Sequence, residues 1–330
     1  MDKRSQIDQL ERALQAMLDG PNSVPVDSEV APLLGIAERL RDLPREGFKA
    51  RLKSELERKA IMASSAATST GVSPVPKGYR TLTPYLIVQD VPWTVQFMKD
   101  VFGAEETFRS VGSAGGYHVE VKLGDSMIML GGGAPELSWK GENKPIALHV
   151  YVEDTDGAYE RAMAAGVEST GKPVDQPYGE RGAGVKDQFG NHWYIATFTK
   201  GQGYIPEGFS NVTPYLHPRR AQPFINFLKQ AFGAEELHKY ASPDGVIQHA
   251  EVKIGDSMLE MGESRGPYQP LPAVFYMYVP DVDAVYQQAL SAGATSISVP
   301  TDHPYGDRSG GVLDPFGHTW YIATHIKDIG

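Results

Sequence analysis

Residues 118–127 read HVEVKLGDSM, and residues 249–258 read HAEVKIGDSM. Working outward from this pair, TPYL at 83–86 returns at 213–216, and FGAEE at 102–106 returns at 232–236. PYGER at 177–181 returns as PYGDR at 304–308, and FGNHWYIAT at 189–197 returns as FGHTWYIAT at 316–324. The blocks keep their order at offsets of 127–131 residues, so the chain carries a duplicated domain. Each copy holds a weaker pattern of strand, helix and three strands, occurring twice. In the first copy the spacing predicts strands at 82–88, 106–111, 117–123 and 126–130 around a helix at 91–101. It then predicts strands at 146–152, 169–174, 184–186 and 193–198 around a helix at 155–165. Such a helix covers one face of a mostly antiparallel sheet and leaves the other free to form a pocket.

The rest of the chain is read against this core. Ile7, Leu10, Leu14 and Met17, then Val30, Leu33, Leu34, Ala37 and Leu40, then Phe48, Leu52, Leu56 and Ala60, recur at helical spacing and predict a helical extension over 1–62. Residues 63–77, ASSAATSTGVSPVPK, are small and Pro-ended and predict a linker. A formal charge of −10 with no basic patch argues against nucleic acid and anionic membrane as partners. The absence of cysteine removes disulfides, thiolate zinc sites and cysteine nucleophiles. The charged N-terminus has no apolar signal core, which sets a cytoplasmic expectation.

Two βαβββ units joined into one curved sheet are the plan of the vicinal oxygen chelate superfamily (glyoxalase, bleomycin resistance, dioxygenase). The motifs FGAEE, HxEVKxGDSM, PYG(E/D)R and FGxxW resemble its PhnB-like branch, duplicated in tandem over 78–200 and 205–328. The resemblance implies an α+β fold of two such domains, each made of paired units. It also implies a divalent metal held by His or Gln on the first strand of each unit and by Glu on the last. The matching positions are Thr83, Met129, Ala147 and Tyr194 in the first domain, and Thr213, Glu260, Val274 and Tyr321 in the second. Only Glu260 is a family ligand type. The reading is therefore no standard metal site and no cofactor, with a divalent ion in the second domain left open through Glu260.

Strand alternation sets the candidate lining residues. It places His249 and Glu251 on the inner face beside Glu260, the expected catalytic group. Two carboxylates crowded on an imidazole raise a carboxyl pKa or hold the histidine protonated. His118, Glu120, Met129, His149 and Tyr194 are the expected ligand-binding lining of the first domain, and Tyr276 and Tyr321 that of the second. Arg181 and Arg308 follow Tyr-Gly turns and either clamp an anionic ligand or close their own loops as ion pairs. His318 is read as bracing its turn.

The leading expectation is a metal-free protein that binds a small aromatic or planar molecule in the concave pocket of one or both domains. The alternatives are a lyase, isomerase or dioxygenase-type enzyme acting through the second domain, and an interaction protein acting through the helical extension. A homodimer is left open.

Overall fold

The computed structural model describes residues 72–112 and 114–329. The helices expected over 1–62 and most of the 63–77 linker lie outside the described residues. The end of that linker is no free tether: Pro74 O accepts from His325 N at 3.0 Å, and Val75 packs against a buried cluster.

Four βαβββ units follow one another. The first is β1 (Leu82–Val88), α1 (Val91–Phe102), β2 (Glu105–Val111), β3 (Tyr117–Leu123) and β4 (Ser126–Gly132). The second is β5 (Ala147–Tyr151), α2 (Thr155–Ala164), β6 (Glu168–Gln176), β7 (Glu180–Lys186) and β8 (His192–Phe198). The third is β9 (Val212–Leu216), α3 (Ala221–Phe232), β10 (Glu235–Ala241), β11 (Ile247–Ile254) and β12 (Ser257–Met261). The fourth is β13 (Val274–Tyr278), α4 (Val282–Ser291), β14 (Thr295–Asp302), β15 (Asp307–Leu313) and β16 (Thr319–His325). No described helix is long and apolar enough to cross a membrane.

The repeated motifs mark the joints of these units. Val91, Val95, Met98 and Val101 give α1 one buried stripe, and the Asp90 side chain accepts from Trp93 N to start it. FGAEE ends it: Gly103 adopts φ 70°, and the two amides after the helix return to Lys99 O and Met98 O. Glu106 then pairs with Lys99 of the helix just left. In the DxFG turns, Asp187 accepts from the amides of Phe189 and Asn191 and from Trp193 Nε1. Asp314 does the same with Phe316, His318 and Trp320. The His318 ring packs against Phe224, and its backbone amide donates to Asp314, which holds the turn.

The sheets do not follow the boundaries 78–200 and 205–328. One eight-stranded sheet, sheet I, runs β14-β15-β16-β13-β1-β4-β3-β2 and joins the first unit to the fourth. Sheet II runs β10-β11-β12-β9-β5-β8-β7-β6 and joins the second to the third. The junctions are antiparallel, with Thr83 opposite Tyr276 and His149 opposite Thr213. What the contiguous halves share is their helix side. Arg161 of α2 donates to Val101 O at the end of α1, and Trp193 of sheet II packs on Phe97 and Phe102 of α1. Trp320 of sheet I packs likewise on Phe232 of α3. One continuous core results, lying between the convex faces.

The GDS turns tie the sheets together. Asp125 accepts from Asn211 N at 2.9 Å and Ser126 Oγ accepts from Val212 N at 3.0 Å, so the turn of sheet I caps the first strand of the third unit. Asp256 and Ser257 do the same for Thr81 and Leu82. Gly124 sits at φ +59°, where a Cβ would lie 1.9 Å from Asn211 Oδ1, so only glycine admits this tie.

Candidate functional site

The central strands of sheet II, β5 and β9, present alternate side chains to its concave face. His149 stands beside Tyr194 of β8 on one flank and Thr213 on the other. Tyr215 lies next to Glu260 of β12, and Glu260 next to Glu251 of β11. The crosswise pairing therefore changes the partner expected for Glu260. Its Oε2 accepts from His149 Nδ1 at 2.9 Å, and the carboxylate is only 3% exposed. His249 instead lies 3.3 Å from Glu251 Oε1 and 3.3 Å from the Tyr215 hydroxyl. The expected catalytic group His249, Glu251 and Glu260 is thus divided. His149 and Tyr194, expected in the other domain, share this face of sheet II with Glu260.

A cavity of about 340 Å³ opens over this face. His149 and Glu180 border its inner end, Tyr194, Tyr215 and His217 form a wall, and Tyr178 and Tyr268 stand at the mouth, 63% and 43% exposed. Glu180 Oε1 accepts from the Tyr151 hydroxyl at 2.8 Å, and Oε2 lies 3.6 Å from His149 Nε2. Burial pulls the His149 pKa down, but the Glu260 carboxylate, supported by Glu180, leaves it above its ordinary value. His217 is the opposite case. Burial pushes it down to about 4, and its neighbours suit the neutral ring: Nδ1 faces Gly262 O at 3.3 Å and Nε2 lies 2.9 Å from the Tyr194 hydroxyl. Burial also lowers the pKa of His249, and Glu251 and Glu260 more than reverse this. The His249 bond in turn lowers Glu251.

Sheet I shows what the same scaffold becomes with other residues. Met129, Tyr276, Tyr278 and Ala323 form a buried cluster against Val75, Tyr79, Tyr85 and Tyr321. Asp307 stands where Glu180 stands in sheet II, and it is saturated. Tyr276 and Tyr278 donate to its Oδ2 at 2.9 and 3.0 Å, and His325 Nδ1 lies 2.7 Å from Oδ1. His118 lies 3.5 Å from Glu120 and 3.0 Å from the Tyr85 hydroxyl, beside this cluster. His118, Glu120, Met129, Tyr276 and Tyr321 therefore share sheet I, whereas the expectation divided them between two domains.

Arg181 and Arg308 face away from both concave faces. Arg181 pairs with Asp156 of α2 and with Asp175, and Arg308 with Asp283 of α4 and Asp302, with every arm engaged. Neither is available to an anion in the cavity. The residues missed by the sequence reading include Glu180 and His217, besides the tyrosines Tyr178, Tyr215 and Tyr268. Alternation held the signal for the first, since a residue next to a helix-facing arginine must face inward. The repeat held it for the second, because His217 stands where Ile87 stands in the first copy.

The donor set does not fit a divalent ion. Crosswise pairing regroups the eight ligand positions, giving sheet I Thr83, Met129, Val274 and Tyr321, and sheet II Ala147, Tyr194, Thr213 and Glu260. Glu180 and Glu260 lie at opposite nitrogens of the His149 ring, so the three donors do not converge on one point. Among the described residues no three His, Asp or Glu side chains form a metal-holding group.

Comparison with known proteins agrees with this architecture. Residues 80–195 and 218–322 match the family described as Glyoxalase/Bleomycin resistance protein/Dioxygenase superfamily. An uncharacterized protein of Mycobacterium bovis is 37% identical over 134 residues, covering 36% of this chain and 88% of its own length. Glyoxalase I from Zea mays superposes with a TM-score of 0.57 at 16% identity, over 74% of this chain and 92% of that one. A putative dioxygenase from Bacillus subtilis gives 0.50 at 15% identity, over 74% and 85%. At these identities the two structures speak to the fold.

Proposed function

Within the glyoxalase/bleomycin resistance protein/dioxygenase superfamily, to which this chain belongs, we propose that it acts as a small-molecule-binding member that holds a planar or aromatic ligand in the cavity of sheet II without a metal ion. The observation that carries this is the cavity itself: about 340 Å³, walled by tyrosines from both units, with the buried imidazole and carboxylate of His149 and Glu180 at its inner end. Ligand sites combine these features, an apolar or aromatic wall for affinity and a few placed polar groups for orientation. Sheet I serves in this reading as the structural partner, because its equivalent side chains pack on one another.

Gly182 offers a direct test. It shares the inward face of β7 with Glu180, and a Cβ there would meet only the Gln176 side chain at 3.7 Å. Gly182→Leu should therefore fold normally and occupy part of the cavity. A panel of planar aromatic compounds should include some that raise the melting temperature of the wild type equally with and without EDTA, and the shift should vanish in Gly182→Leu. Stabilisation that EDTA abolishes would sink the metal-free reading. Equal stabilisation of Gly182→Leu would move the site elsewhere.

The Glu260–His149 pair favours a second reading, acid–base catalysis. Glu260 holds Nδ1 and fixes the ring, which leaves Nε2 toward Glu180 and the cavity to exchange a proton. A bound weak carbon acid should then take up solvent deuterium in the wild type and not in Glu260→Met. Uptake that persists unchanged in Glu260→Met would remove this role.

A further inference from the structure

Resting on the binding reading above, we propose that the ligand of sheet II is an organic cation, a small ammonium ion bearing an aromatic or apolar group. At the inner end of the cavity a single imidazole, His149, stands between two carboxylates, Glu180 in the lining and Glu260 buried behind the ring. Even with that ring protonated, one negative charge is left without a partner. Excess charge held away from water is costly, and an entering cation relieves it. The excess has a definite address. Glu260 is committed to His149 Nδ1 and Glu180 Oε1 to Tyr151. Glu180 Oε2 is 3.6 Å from His149 Nε2, too long for a good hydrogen bond, and is free to accept from the cavity.

The wall matches the same ligand. Tyr194 and Tyr215 meet edge to face at 5.4 Å, and Tyr215, His217 and Tyr268 continue the surface at 5.1 and 5.0 Å between rings. Aromatic faces carry negative quadrupole density and attract ammonium groups. His217 adds no opposing charge, since both of its nitrogens are engaged as those of a neutral ring. Lys172 and Arg265 border the mouth but are exposed, where solvent screens them. Sheet I supplies the contrast: Asp307, the counterpart of Glu180, is spent on three internal donors, and Met129 stands in place of Glu260.

The test compares benzylammonium, benzyl alcohol and benzoate as probes of the full chain by ligand-observed NMR titration in EDTA. The ammonium probe should bind about tenfold or more tightly than benzyl alcohol, with benzoate weakest. Glu180→Gln, which keeps shape and can still accept from Tyr151, should reduce that preference to about twofold or less. Tyr194→Leu should weaken both. Equal binding of the cation and the alcohol, or full retention of the preference in a folded Glu180→Gln, overturns the cation inference and leaves the binding reading standing. Failure of all three probes to bind overturns both.

Discussion

Glu260→Met should destabilise the protein by about 3 kcal/mol at neutral pH, and Glu260→Met combined with His149→Tyr should recover most of that loss. Removing one member of a buried pair leaves the other without compensation, whereas replacing both by groups that pack is nearly neutral. The molecule already contains the repaired version, because Met129 and Tyr276 occupy these positions in sheet I, with the tyrosine donating to Asp307. A tyrosine at 149 would find Glu180 in the same place.

The pH dependence follows from the direction of the His149 shift. In the folded wild type its pKa is raised above the unfolded value of about 6.5, so the pair stabilises fully below that value and its contribution is lost as pH rises through the folded pKa. In Glu260→Met burial dominates, the ring resists protonation, and the unfolded chain binds the extra proton as pH falls. The gap between wild type and variant should therefore widen from pH 8.5 to pH 5.5 in urea titrations. A gap that is flat across this range, or that widens toward high pH, would show that the pair is not the source.

Trp193→Ala should cost about 4 kcal/mol, the range for emptying a large aromatic site in a packed core. Trp193 is fully buried, donates to Asp187 at 3.1 Å, and lies against Phe97 and Phe102 at ring separations of 5.4 and 5.5 Å. The two phenylalanines belong to the first unit and the tryptophan to the second, so the cavity would open between elements of different sheets. The loss should then appear as a single earlier transition for the whole βαβββ region, with amide protection falling in α1 and in β8 together. Loss of protection in β8 with α1 unaffected would contradict a shared core. Trp193→Phe, which keeps most of the ring and removes the donor, should cost about 1–2 kcal/mol.

Much of this architecture is legible in the linear order of residues. The repeat of HxEVKxGDSM, FGAEE and PYG(E/D)R exposes the duplication, and the alternation in β3 and β11 separates Val119 and Val121 from His118 and Glu120 correctly. These are local properties. A strand has period two wherever it sits, a glycine at φ +59° is required by its own turn, and an aspartate caps amides a few residues away. The ligand positions Met129, Ala147 and Val274 are equally plain, because residue type alone bars them from holding a hard cation.

Which units share a sheet is not a local property. β1, β5, β9 and β13 are short, mostly buried strands of similar pattern, and each offers one open edge. Adjacent units and distant ones satisfy the same backbone hydrogen bonds, and the added loop length changes the closure entropy only slowly. The choice is made by the tertiary closure, where helices of neighbouring units bury Trp193 and Trp320 and the GDS turns reach Asn211 and Thr81 across the two sheets. That choice gives Glu260 the imidazole of His149, 111 residues away, in place of His249 on the neighbouring strand. The inward face of each strand was thus written in its own residues. The composition of the site was decided only when four equivalent strand edges found their partners.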